Sequence, residues 1–161
     1  MRETPPIILG LSPGTRSMGI AILKDNKLID WRVKAFAGKW SKEKLERIVR
    51  AIQAIVDKNN VAVIGIKIQG QSRSSLGLNQ VVVALLGLVE RNDIPVHLFT
   101  IKEIEHYHCG KRKKNKLELR NYILETYPEL FREYEKENRT KRGYYMKIFE
   151  AVAVAGCAAQ M

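Results

Sequence analysis

The stretch IILGLSPGTRSMGIAI, residues 7–22, decides the fold of this chain. Its first five residues are an apolar run of the kind that forms a buried strand. The four residues that follow (SPGT, 12–15) have strong turn chemistry, and a second apolar run extends from Met18 to Leu23. The connection is too short for a crossover, so the two strands are predicted to pair antiparallel.

The rest of the first two thirds alternates strands with helices. Asp25-Asn26 is a tight-turn pair, and a third strand is predicted over Lys27–Phe36. Helical spacing and strand-forming runs then predict, in order, a helix over 42–58 capped by Ser41, a strand over 61–68, a helix over 76–91 and a strand over 95–99. A meander followed by such crossovers predicts an α/β fold. We expect one domain over 1–161, with a five-stranded mixed sheet of three antiparallel strands and then parallel strands, and helices on both faces.

The last third is predicted to be helical. Thr100 with Glu103 is a capping-box signature for a short helix to about His106, and Asn115 with Glu118 indicates a second helix to about Thr126. Pro128 starts another helical stretch, and residues 133–143 are almost wholly polar, which predicts an exposed or mobile segment. A final helix, rich in Ala and Val after Glu150, is predicted over 144–159.

The charge of the chain favours an anionic partner. Its 161 residues include 28 Lys+Arg and 17 Asp+Glu, a formal net charge of +11. Phosphate is the commonest polyanion that a basic protein meets, so DNA or structured RNA is the first candidate. A hydrophobic content of 45% is enough for a real core and argues against wholesale disorder.

Membrane and disulfide classes are disfavoured by the sequence. No apolar run approaches the roughly 20 residues that span a bilayer, and the N-terminus lacks a signal-peptide layout. Cys109 and Cys157 are the only cysteines, too few for a disulfide framework. We therefore expect no membrane association, and a cytoplasmic location.

Metal-binding residues are scarce. The chain has four aspartates, Asp25, Asp30, Asp57 and Asp93, and none later. Magnesium sites need converging carboxylates. The segment HYHCG (106–110) fits no structural zinc pattern. We expect no metal site and no cofactor.

Several basic residues are candidates for phosphate contact. Arg16 lies in the first turn, and Arg73 lies in a small polar loop (GQSRSS, 70–75) ahead of a helix N-terminus, where anions bind readily. A dense cluster follows the fifth strand: Lys111, Arg112, Lys113, Lys114 and Lys116. For Arg16 the alternative is an exposed turn residue, and for Arg73 it is an ordinary helix N-terminus. For the basic cluster it is a solvated loop.

The opening stretch, the element order and the segment Glu150-Ala151-Val152-Ala153 together resemble the ribonuclease H-like superfamily, above all RuvC-type Holliday junction resolvases. The resemblance implies a metal-dependent nuclease site of four acids, one on the first strand, one at the end of the fourth and two at the start of the last helix, which hold two divalent metals. Carried onto this sequence, these catalytic positions fall on Ser12, Lys67, Lys147 and Glu150. Three of the four acids are absent, and two are replaced by cations.

These replacements leave three hypotheses. The first is a RuvC-like protein that binds branched or structured nucleic acid with a decayed site, where Lys67 and Lys147 contact phosphate or pair with Glu150. The second is a working Holliday junction endonuclease that uses Mg²⁺ or Mn²⁺ and other acids. The third is a non-catalytic interaction module on the same fold. The resemblance also implies a homodimer and a role in DNA recombination.

Overall fold

A computed structural model describes residues 4–70, 75–110 and 114–161 and contains a five-stranded sheet in the order β3-β2-β1-β4-β5. The strands are β1 (Ile7–Ser12), β2 (Ser17–Lys24), β3 (Lys27–Ala35), β4 (Val63–Ile68) and β5 (Val96–Thr100). β1 pairs antiparallel with β2 and β2 with β3, whereas β4 is parallel to both β1 and β5. The predicted fold class is therefore confirmed.

Six α-helices are present in the described residues. They are α1 (Lys42–Asn59), α2 (Leu76–Arg91), α3 (Ile101–Cys109), α4 (Lys116–Thr126), α5 (Phe131–Thr140) and α6 (Met146–Ala158). The predicted caps are confirmed, because Ser41, Thr100 and Asn115 each accept a hydrogen bond from a backbone N–H in the first turn. No helix in this part of the chain is both long enough and apolar enough to cross a bilayer.

The two faces of the sheet are covered by different helices because strand side chains alternate. Leu9 and Leu11 of β1 pack in a core that includes α1 and α2. Ile8, on the opposite side of β1, belongs to a second core with α3, α4 and α6. The sheet is thus the middle of three layers.

The small side chains of α6 let it lie directly on the sheet. An added Cβ at Gly10 would be 2.1 Å from the Ala151 oxygen, and one at Gly65 would be 2.8 Å from the Cβ of Ala158. A Cβ at Gly19 would likewise be 2.1 Å from the Lys147 oxygen. Glycine on three neighbouring strands therefore sets the height of α6 above the sheet.

Several predicted boundaries need correction, and β4 begins at Val63 rather than at residue 61. The segment 133–143 is mostly helical rather than loose, because α5 extends to Thr140 and Glu137 is buried. The Glu137 carboxylate accepts hydrogen bonds from the backbone N–H groups of Gly143 and Tyr145, which ties the polar segment to the start of α6. In addition, α3 continues to Cys109 instead of ending near His106, and α6 begins at Met146 rather than at residue 144.

His108 joins α3 to α6 through its ring. Its Nε2 is 2.7 Å from the Ala153 oxygen, so the neutral ring donates a hydrogen bond there. Burial lowers the pKa of His108, and the Ala153 carbonyl opposes that shift. The folded state therefore binds a proton at His108 less readily than the unfolded state does.

We expect the thermal stability to fall as the pH drops below the ordinary histidine value, with the loss complete below the folded-state pKa of His108. His108→Gln keeps a donor for Ala153 but does not titrate, so its melting temperature should fall less between pH 7.5 and 5.5. Melting curves followed by circular dichroism measure both proteins. Equal falls would show that His108 is not responsible.

Candidate functional site

Ser12, Lys67 and Glu150 meet where β1 and β4 end. Ser12 is the last residue of β1, and Lys67 is the last but one of β4. Each follows a glycine that faces α6, at a spacing of two, so both side chains point to the α6 side of the sheet. Glu150 lies on α6 above them. The alternation of side chains along β1 and β4 therefore places Ser12 and Lys67 on the same side of the sheet as Glu150.

Both carboxylate oxygens of Glu150 are engaged. The Ser12 hydroxyl donates to Oε1 at 3.1 Å, and the Lys67 Nζ lies 3.3 Å from Oε2. Ser12 is 0%, Lys67 7% and Glu150 4% exposed. A buried carboxylate needs a partner of opposite charge, and here Lys67 is that partner. The one acid at the four predicted positions is therefore already neutralised by the chain itself.

Lys147 is the fourth predicted residue, and it lies half-buried beside this pair. It is on α6 three residues before Glu150, and its Nζ donates to the Pro13 oxygen at 3.5 Å. A Cβ at Gly14 would be 2.7 Å from that Nζ, so glycine in the first turn leaves room for the ammonium group. Burial lowers the pKa of Lys147. Glu150 opposes that shift, and the positive charges of Lys67 and Lys116 add to it.

Glu105 of α3 is a second buried acid near the site, and sequence reasoning missed it. Burial raises the pKa of Glu105, the charge of Glu150 raises it further, and Lys116 and Lys102 counteract both. The available signal was helical spacing, because Ile104, Glu105 and Cys109 are the buried residues of α3. A glutamate on that buried face was the clue.

A basic groove of about 500 Å³ opens beside Lys147. Three cations line it, Arg16, Arg142 and Lys147, together with residues of the first turn, the end of β4, the start of α2 and the segment before α6: Pro13, Gly14, Thr15, Ser17, Gln69, Ser75, Leu78, Gly143 and Tyr144. No carboxylate lines the groove among the described residues. Arg16 was predicted, whereas Arg142 was not, because only the fold places residue 142 near the first turn.

The other predicted contacts are only partly described by the structure. Arg73 and the cluster members Lys111, Arg112 and Lys113 lie outside the described residues. Lys114 is exposed, and its Nζ is 2.8 Å from His106 Nδ1. Lys116, the exposed first residue of α4, acts electrostatically on Lys147 and Glu105.

The side chains at this site do not fit a pair of divalent metal ions. Such ions need several converging oxygen ligands, mainly carboxylates. No group of three or more His, Cys, Asp or Glu side chains in residues 4–70, 75–110 and 114–161 could hold a metal. Lys67 also places an ammonium group against Glu150, where a cation would have to approach. The arrangement suits anion binding instead.

Comparison with known families gives one match over most of the chain. The family model described as crossover junction endodeoxyribonuclease RuvC matches residues 8–126. A comparison with curated proteins finds no significant match.

Solved structures with a similar fold include two of RuvC from Thermus thermophilus. One, in complex with a Holliday junction substrate, has a TM-score of 0.72 and 15% identity, covering 93% of this chain and 90% of that one. The other has a TM-score of 0.67 and 15% identity, covering 92% and 90%. A Fowlpox virus resolvase complex with Holliday junction DNA has a TM-score of 0.58 and 15% identity, covering 96% and 99%. At this identity the likeness establishes the ribonuclease H-like fold.

Proposed function

This chain belongs to the family of the crossover junction endodeoxyribonuclease RuvC, and we propose that it binds branched or duplex DNA, or structured RNA, without metal-dependent cleavage. The observation that carries the proposal is the Lys67–Glu150 ion pair. A nuclease of this kind needs its carboxylates free to hold metal ions. Here the buried Glu150 carboxylate already pairs with the Lys67 ammonium group and accepts a hydrogen bond from the Ser12 hydroxyl.

The basic groove supports binding. Arg16 and Arg142 are exposed on its rim, and backbone phosphates are bound by such cations without reading the sequence. The net charge of +11 adds a long-range attraction to polyanions. The T. thermophilus RuvC and Fowlpox virus resolvase structures with the same fold were both solved with Holliday junctions, which favours branched DNA as the ligand. A homodimer remains a prediction.

A gel-shift experiment tests this function. Four-way junction, duplex and single strand are titrated at several salt concentrations, with and without Mn²⁺, and the same samples are run on denaturing gels. We expect binding that weakens steeply with salt, strongest for the junction, and intact strands. Cleaved strands would overturn the loss of catalysis. The absence of binding to any nucleic acid would overturn the function and leave a protein-interaction module.

A surviving nuclease is the second candidate, and Glu105 is the observation in its favour. The charge of Glu150 contributes to the raised pKa of Glu105, so a second buried carboxyl group is electrostatically coupled to Glu150. If cleavage with Mn²⁺ is found, Glu105→Gln and Glu150→Gln should each abolish it. If neither does, the cleaving site is elsewhere or the activity is a contaminant.

Reversal of the three replacements tests the placement of the site. We expect the triple variant Ser12→Asp, Lys67→Glu, Lys147→Asp to bind Mn²⁺ measurably by calorimetry, whereas the parent gives no binding heat. The reason is that four clustered carboxylates supply the hard oxygen ligands that such cations prefer. The circular dichroism spectrum serves as the folding control. A folded triple variant without Mn²⁺ affinity would show that these positions are not the acid positions of the family.

A further inference from the structure

The charge balance around Glu150 is complete without a metal ion. The Lys67 Nζ lies 3.3 Å from Oε2, and the Ser12 hydroxyl donates to Oε1. Each of these side chains is less than a tenth exposed, so water contributes little to neutralising the carboxylate. The positive charge of Lys67 balances the negative charge of Glu150, so the charge of Lys67 is neutralised within the protein.

The positive charge of Lys147, by contrast, is not balanced by an ion pair in the described residues. The groups that act on it electrostatically are the carboxylate of Glu150, from the same helix, and the ammonium groups of Lys67 from β4 and Lys116 from α4. Glu150 is already paired, and among the described residues no carboxylate lies within ion-pair distance of Lys147. In the described part of the chain, its Nζ donates a hydrogen bond to one backbone oxygen, that of Pro13. A cation held in this way attracts an anion from outside.

The groove gives that anion a place to bind. Lys147 is the half-buried cation of its lining, whereas Arg16 and Arg142 are exposed, and Ser17 and Ser75 line it as well. Its volume of about 500 Å³ is enough for a phosphate group with its neighbouring sugars. Two guanidinium groups and one ammonium group, with no acid among the described lining residues, match the charge and the donor needs of a phosphodiester.

We propose that two lysine ammonium groups take over the electrostatic roles of the divalent metal ions: Lys67 as the permanent counter-ion of Glu150, and Lys147 as a direct ligand of a backbone phosphate in the basic groove. This rests on the proposed function, because the phosphate belongs to a bound nucleic acid. Binding at this position then needs no divalent metal. An ammonium group holds the phosphate but cannot deliver a metal-activated water, so the strand stays intact.

The test measures affinity for a labelled four-way junction by fluorescence anisotropy, in EDTA and in Mg²⁺ at matched ionic strength. We expect the affinity of the parent protein to be the same in both conditions. Lys147→Met should weaken binding about tenfold and lower the slope of log affinity against log salt by about one. A requirement for Mg²⁺ would overturn the proposal.

Matched variants keep the result interpretable. Lys27→Met removes the same formal charge from the exposed first residue of β3, at the end of the sheet away from the groove, and should leave binding nearly unchanged. Arg142→Met removes an exposed groove cation with no risk to the core and should weaken binding several-fold. If Lys147→Met and Arg142→Met both bind like Lys27→Met, the groove is not the phosphate site, although the proposed function stands.

Two further measurements identify which phosphate the groove binds. A junction with hydroxyl ends should bind as tightly as one with 5′-phosphate ends, because the ligand is an internal phosphodiester. Binding only to phosphorylated ends would overturn that assignment. If the protein binds no nucleic acid, the proposed function fails. In that case, calorimetry with inorganic phosphate tests the anion site by itself. Binding heat that is lost in Lys147→Met would support the site, and the absence of binding heat would overturn it.

Discussion

We expect Lys67→Met to lower the free energy of unfolding by about 3–5 kcal/mol, since removing one partner of a buried ion pair leaves the other charge unpaired. Methionine matches the length of the lysine stem, so packing changes little. The group left without a counter-ion is the Glu150 carboxylate, which among the described residues keeps the Ser12 hydroxyl as its hydrogen-bond partner. Urea denaturation at neutral pH gives the value directly.

A double-mutant cycle makes this result specific. Lys67→Met with Glu150→Gln removes both charges and should recover most of the lost stability, because a neutral amide is cheaper to bury than a lone carboxylate. Lys44→Met is the matched control. Lys44 is 3% exposed and donates to the Gly38 oxygen at 2.8 Å, a contact that is not an ion pair, so its loss should cost only about 1 kcal/mol. Additive single and double effects would show that Lys67 and Glu150 are not coupled.

Gly10→Ala should have a comparably large effect through packing. The new Cβ would lie 2.1 Å from the Ala151 oxygen and 2.7 Å from the Cβ of Ala155, and neither a backbone oxygen nor a helical Cβ can rotate away. Helix α6 would have to lift from the sheet, which we expect to cost about 3 kcal/mol or more.

Gly70→Ala is the control for that substitution. No atom of the described residues lies within 4 Å of a Cβ at residue 70, so this variant should have the stability of the parent. Chemical denaturation measures both variants, and junction binding should weaken in Gly10→Ala as Lys147 moves with α6. Equal stability of the two variants would mean that α6 does not pack on β1 as closely as described.

The order of elements was predictable because its signals are local. The turn after Ser12, the alternation within strands and the caps at Ser41, Thr100 and Asn115 each depend on a few neighbouring residues. The polar composition of α5 was misleading, since Glu137 is buried and its carboxylate accepts hydrogen bonds from the next segment. Such a partner cannot be read from composition.

The candidate site was only partly predictable from sequence. Ser12, Lys67, Lys147 and Glu150 were selected by resemblance, and the structure places all four together. That Lys67 rather than Lys147 pairs with Glu150 follows from side-chain geometry, which a sequence pattern leaves open. Glu105 and Arg142 were missed because they reach the site only through the packing of α3 on α6 and the path of the chain before α6.

The hydrogen bond between Ser12 and Glu150 joins residues 138 positions apart. During synthesis, β1, β2 and β4 are made long before α6, so the core that Ile8 shares with α3, α4 and α6 is incomplete until α6 is available. The apolar side chains of this core must be kept from aggregating in the interval. A polypeptide whose translation stops before α6 cannot bury them and lacks Lys147 and Glu150. Such fragments should therefore be prone to aggregation.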